Sequence, residues 1–71
     1  SYVLYIDVAD EAGAIATIAT ILATEKVSIK NIGIIHSREF IEAVLRIEFY
    51  DEQTANDAVR VLKDNGYQIF A

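Results

Sequence analysis

The pattern of apolar residues predicts an α+β sandwich with the element order βαββαβ, in which two helices cover one face of a four-stranded antiparallel sheet. Three observations predict it. Apolar residues alternate with period two from Tyr2 to Val8 and from Ala43 to Phe49, the spacing of half-buried strands. They recur at i, i+3, i+4 and i+7 from Ile15 to Leu22 and from Ala55 to Leu62, the spacing of amphipathic helices. These two stretches, I-x-x-I-A-x-x-L and A-x-x-A-V-x-x-L, share one arrangement, so the chain reads as two copies of a split βαβ unit.

Tyr2 to Val8 forms the first strand, with Leu4, Ile6 and Val8 on one face and Val3, Tyr5 and Asp7 on the other. A polar turn, Asp10-Glu11-Ala12-Gly13, precedes a helix expected from about Ala14 to Lys26. Its stripe is Ile15, Ile18, Ala19 and Leu22, and its outer side carries Thr17, Thr20 and Thr24. Thr is a mediocre helix former, so packing has to hold this helix. Ile29 to His36 is the second strand, apolar on both faces through Ile29 and Ile35 on one and Ile32 and Ile34 on the other, which predicts cover on both sides. Ser37-Arg38-Glu39 leads into the third strand, where Leu45, Ile47 and Phe49 alternate with Val44, Arg46 and Glu48. Asp51 suits the N-cap of a second helix with the stripe Ala55, Ala58, Val59 and Leu62, and Gly66 suits its left-handed C-terminal cap. Tyr67 to Phe70 is expected as a final short strand. Right-handed crossovers then place both helices on one face, which is the ferredoxin-like sandwich.

The chain of 71 residues is a single module, and without Cys it has neither a disulfide nor a thiolate metal site to staple it. With 54% hydrophobic residues and a mean hydropathy of +0.29, a second copy is the simplest cover for the remaining apolar surface. A homo-oligomer, at least a dimer, is therefore expected. Side-by-side pairing that extends the sheet is the preferred geometry, and face-to-face packing through Val3, Tyr5 and Val44 is the alternative. Eleven acidic against six basic residues give a net charge of −5, the wrong sign for nucleic acid or an anionic membrane surface. There is no signal-peptide pattern and no apolar run near the roughly 20 residues of a membrane span. A soluble, cytoplasmic module is expected. The start at Ser1 and the absence of Met predict a piece of a longer protein.

Two places carry possible binding chemistry. At Asp10-x-x-Gly13 a helix begins, and the amides of Ala14, Ile15 and Ala16 are expected to face an anion such as a carboxylate, drawn by the partial positive charge of the helix end. The same residues also suit a plain helix cap and turn. Asn31 and Gly33 interrupt an isoleucine-rich strand; the amide suits a ligand's ammonium or carboxylate, and the pair equally suits a bulge at the strand entry. The single His36 excludes a multi-His metal site within one chain and reads as a structural or surface residue. Ser37-Arg38-Glu39 suits a solvated connection as well as a carboxylate clamp, and Asp51, Glu52, Asp57 and Asp64 read as a solvated helix face. No nucleophile is paired with a base, and there is no phosphate loop. A binding module fits better than an enzyme.

The D-x-x-G opening of the first helix, K-V-S-I-K-N-I at the second strand's entry and I-I-H-S-R-E at its end together resemble an ACT domain over the whole chain. Ile34-Ile35-His36-Ser37-Arg38-Glu39 with Val44-Leu45-Arg46-Ile47 is most similar to the C-terminal regulatory ACT domain of bacterial prephenate dehydrogenases. The resemblance implies a free amino acid bound between two copies, with Asp10, Ala12, Gly13, Ala14 and Ile15 of one copy facing Asn31 and Ile32 of the other. Helix amides and Gly13 would hold the α-carboxylate, and Asp10 and Asn31 the α-ammonium. The implied ligand is L-tyrosine or a related aromatic amino acid, sensed for feedback control. No cofactor is expected within residues 1–71; NAD and catalysis would belong to the rest of the parent enzyme. Relatives often carry Gly where this chain has Phe40-Ile41-Glu42, an apolar pair suited to contact another domain or subunit. A dimerisation module that keeps the fold without a ligand is the second hypothesis. An acylphosphatase-type enzyme would need an Arg in the first loop, and residues 9–13 have none.

Overall fold

The computed structural model describes residues 2–9, 11–36 and 43–70. They form β1 (Tyr2–Val8), α1 (Glu11–Thr24), β2 (Asn31–His36), β3 (Ala43–Phe49) and α2 (Glu52–Asp64). The sheet is antiparallel with the order β1-β3-β2, from Tyr2 opposite Phe49 to Val8 opposite Ala43 on one side of β3 and from Asn31 opposite Glu48 to His36 opposite Ala43 on the other. The connections through residues 37–42 lie outside the described residues, and with them Ser37-Arg38-Glu39 and Phe40-Ile41-Glu42.

One face of this sheet makes the core. Leu4, Ile6 and Val8 of β1 and Leu45, Ile47 and Phe49 of β3 are buried against Ile18 and Leu22 of α1 and Ala55, Ala58, Val61 and Leu62 of α2. Period two puts alternate strand residues under the helices. Ile15 and Ala19 of the expected α1 stripe and Val59 of the α2 stripe are half-buried at its margin, and Val61 takes the more central place in α2. Within the described residues no layer covers the opposite sheet face, so the two-sided cover expected for β2 is not found there. Ile35 is 43% exposed on that open side.

Both helices stop by the same device. In α2 the amide of Tyr67 donates to the Leu62 carbonyl at 3.0 Å and that of Gly66 to Lys63 at 3.0 Å, with Gly66 at φ 90°. In α1 the amide of Val27 donates to Leu22 at 2.9 Å and that of Lys26 to Ala23 at 3.0 Å, with Lys26 at φ 59°. This double hydrogen bond is the Schellman motif, which requires one left-handed residue. The two caps lie forty positions apart, as do the two helix stripes, so the repeat seen in the sequence extends through the helix ends.

Three boundaries differ from expectation. Helix α1 begins at Glu11 instead of Ala14, because the helical penalty of Gly applies to an interior, while the first turn lacks i−4 partners anyway and favours an acidic residue. Strand β2 begins at Asn31 instead of Ile29. Lys30 already donates its amide to the Glu48 carbonyl at 2.8 Å while Asn31 is the register partner of Glu48, so two residues meet one in a bulged entry. The expected final strand from Tyr67 to Phe70 is a single bridge between Phe70 and Tyr5, closed by two 2.8 Å hydrogen bonds. The Tyr67 amide is spent on the helix cap, so pairing starts only at Phe70.

Candidate functional site

An open cleft of about 320 Å³ lies where β1 hands over to α1, lined by Asp7, Val8, Ala9, Gly13, Ala14, Thr17 and Tyr67. The strand supplies the floor. Gly13 and Thr17, four residues apart, lie on one face of the helix, and Tyr67 arrives from the Schellman cap of α2. Most of the lining residues are small, and Thr17 and Tyr67 are the polar residues that the helices and the α2 cap contribute.

Of the residues expected at the site, Gly13 and Ala14 line this cleft. Ala12 is exposed beside it in the first helical turn, and Ile15 is half-buried and packs on the core. Asp10 lies outside the described residues. Of the amides of Ala14, Ile15 and Ala16, expected to face a ligand, those of Ile15 and Ala16 fall beyond the first turn of a helix that starts at Glu11 and join its own hydrogen-bond ladder, while the i−4 position of Ala14 is Asp10, outside the described residues. The positive end of the α1 dipole is thus one turn earlier, at Glu11 and Ala12.

Asn31 and Ile32 are elsewhere in the same chain. Val8 aligns with Ala43, whereas Asn31 aligns with Glu48, five residues or about 17 Å further along β3. Asn31 is exposed, and the Lys30 ammonium of the bulged entry lies 3.8 Å from the Glu48 carboxylate on the open face. A single chain does not bring the two halves of the expected site together. Asp7, Thr17 and Tyr67 were not anticipated from the sequence. The spacing of Thr17 from Gly13 was a usable signal, but Tyr67 reaches the cleft only through tertiary packing.

The N-terminus of α2 offers a contrast. The Asp51 carboxylate accepts the Thr54 amide at 2.8 Å, and the backbone and hydroxyl of Thr54 hold its pKa below the ordinary value of 3.8. Asp51 is the anion at that end, leaving no place for an outside carboxylate.

No family profile matches the chain. It is 44% identical over 62 residues to prephenate dehydrogenase of Bacillus subtilis (strain 168), an alignment spanning 87% of this chain and 17% of that protein. The fold superposes with a TM-score of 0.86 and 41% identity on the crystal structure of the ACT domain of prephenate dehydrogenase from Bacillus anthracis, covering 96% of this chain and 99% of that one.

The chain belongs to the ACT domains of prephenate dehydrogenase.

The H-S-R-E and V-L-R-I segments therefore pointed to the right subfamily. As an ACT domain the chain falls on the regulatory part of such an enzyme, and it spans only 17% of the length of the curated relative it matches. Among the described residues no helix is long and apolar enough to cross a membrane.

Proposed function

We propose that this ACT domain senses a free amino acid, L-tyrosine foremost, and passes its occupancy to an attached cytoplasmic prephenate dehydrogenase as feedback control. The observation that carries the reading is the cleft at the start of α1 in a chain of this family. The positive end of the helix dipole attracts the ligand's carboxylate, and the small residues Gly13 and Ala14 admit its backbone.

The second half of the site comes from another copy. Strand β2 is at the edge of the described sheet, with β3 as its one neighbour. An antiparallel pairing of β2 with β2 of a second copy, centred between Gly33 and Ile34, sets the partner's Asn31 beside His36, at the sheet end where α1 begins. Asn31 and Ile32 of one copy then approach Ala12 and Gly13 of the other, with Asp10 and Asn31 serving the ammonium. Hydride transfer and NAD belong to the portion of the enzyme outside this chain.

Calorimetric titration of the 71-residue chain with each of the twenty amino acids tests the reading. Saturable heat with L-tyrosine, at one site per chain or per pair, is expected. If no amino acid gives a signal at millimolar concentration, the sensor reading falls and a ligand-free dimerisation module takes its place.

A further inference from the structure

Three residues with polar side chains line the cleft at the start of α1, and their placement separates their roles. Asp7 lies on the face of β1 that points away from the helices, since Leu4, Ile6 and Val8 are the buried residues of that strand. Tyr67 is half-buried and packs against the core, so it serves as a wall. Thr17 is exposed on α1. Among the described residues its hydroxyl has no hydrogen-bond partner, whereas Thr24 of the same helix returns its hydroxyl to the Thr20 carbonyl at 2.8 Å.

Helix geometry sets the distance from this hydroxyl to the anion-attracting end. That end lies at Glu11 and Ala12, and the rise from Ala12 to Thr17 is about 7.5 Å. An aromatic amino acid with its carboxylate on the helix end and its ring laid along the helix spans a similar length from carboxylate to para position. Gly13, four residues before Thr17 on the same helix face, puts no side chain on the path between them. The floor at Val8 and Ala9 is apolar, and the volume of about 320 Å³ is at the small end of ligand pockets.

We infer that Thr17 is the residue that distinguishes tyrosine from phenylalanine in this cleft, its hydroxyl hydrogen-bonding the ligand's para-hydroxyl while Gly13 gives the ring its place against the helix. The inference rests on the amino-acid-sensor reading and adds to it the group that sets selectivity. A hydroxyl both donates and accepts, so Thr17 takes a phenol in either sense. With phenylalanine the Thr17 hydroxyl gives up water and faces a ring edge that offers no partner in return. The carboxylate and ammonium contacts are the same for both ligands, so the preference comes from this one pair of hydroxyls.

Paired titrations test it. The 71-residue chain is suitable material, since its relative was crystallised as the ACT domain. Calorimetry with L-tyrosine and L-phenylalanine, with circular dichroism as the check on folding, should show the native chain binding L-tyrosine at least threefold more tightly. Thr17→Val keeps the shape and removes the hydroxyl; it should lose about three- to tenfold in affinity for L-tyrosine and change that for L-phenylalanine less than twofold. Thr17→Ala, a better helix former, should repeat the loss if valine disturbs the fold. Thr17→Ser and Tyr67→Phe should both keep the preference. A native chain that binds the two ligands equally, a Thr17→Val chain that keeps the native preference, or a preference lost in Tyr67→Phe instead overturns the inference and leaves the sensor reading standing. Absence of heat with every amino acid is the failure of that reading, and the assignment of Thr17 falls with it.

Discussion

Lys26 and Gly66 occupy the same left-handed position in two equivalent helix caps, at φ 59° and φ 90°. Only one of them is glycine. A non-glycine residue pays roughly 1–2 kcal/mol in this conformation, offset in part by the freedom that glycine loses on folding. Lys26→Gly should therefore stabilise the chain by about 1 kcal/mol, and Gly66→Ala should destabilise it by at least as much. Urea unfolding of both variants measures the two signs, and equal effects in the same direction would contradict the equivalence of the caps.

The Asp51 cap gives a pH signature. Its carboxylate is held below the ordinary value by the Thr54 amide and hydroxyl, so its contribution is complete above that value and is lost as pH falls through the lowered folded pKa. Asp51→Asn keeps an acceptor for Thr54 but has no proton to gain. Thermal melts from neutral pH down to about pH 2 should show the native chain losing stability relative to Asp51→Asn only on the acid side of the ordinary carboxylate pKa.

How much of this was legible in the sequence follows the period of the pattern. β1 and β3 have one covered face, so strict alternation located both with their ends, and Asp51 and Gly66 announced their caps through residue types that favour them. Gly13 misled because it reads as a breaker although it sits in a first helical turn. Lys26 misled in the opposite way, since nothing in a lysine signals a left-handed cap. Tyr67 has strand propensity, but its amide closes the α2 cap and the residue lines the cleft, and both depend on the helix ending where it does. Asn31 stood out as an oddity within its strand, yet the sequence had no means of placing it about 17 Å along the sheet from Val8.

Ligand affinity and stability should separate at Gly13. It lies in α1 and lines the cleft, so Gly13→Val fills space a ligand needs while replacing the poorer helix former. Calorimetry should show loss of amino-acid binding by at least tenfold, with a melting temperature no lower than that of the native chain.

Asn31→Ala should weaken binding by a route that leaves the cleft unchanged. Losing one or two hydrogen bonds to a charged group costs about 1.5–3 kcal/mol, roughly ten- to hundredfold in affinity. An unchanged dissociation constant would remove Asn31 from the site.

The two faces of the sheet should respond differently to truncation. Ile47 is fully buried and Ile35 is 43% exposed. Ile47→Ala should cost about 2–5 kcal/mol, the usual range for a core truncation, enough to leave so small a domain largely unfolded. Ile35→Ala should cost about 1 kcal/mol or less in chemical denaturation.

The register of β1 also sets an order of assembly. His36 meets Ala43 across 7 positions of chain, whereas Val8 meets the same Ala43 across 35. Closing the longer loop costs about 1.4 kcal/mol more in chain entropy before any contact repays it. The β2–β3 pair and the helices are local, while β1 must wait for a partner that lies beyond a helix and another strand. Of the three strands, the last to dock is thus the one whose far end, at Val8, builds the floor of the cleft, so the cleft takes shape only after β2 and β3 have paired.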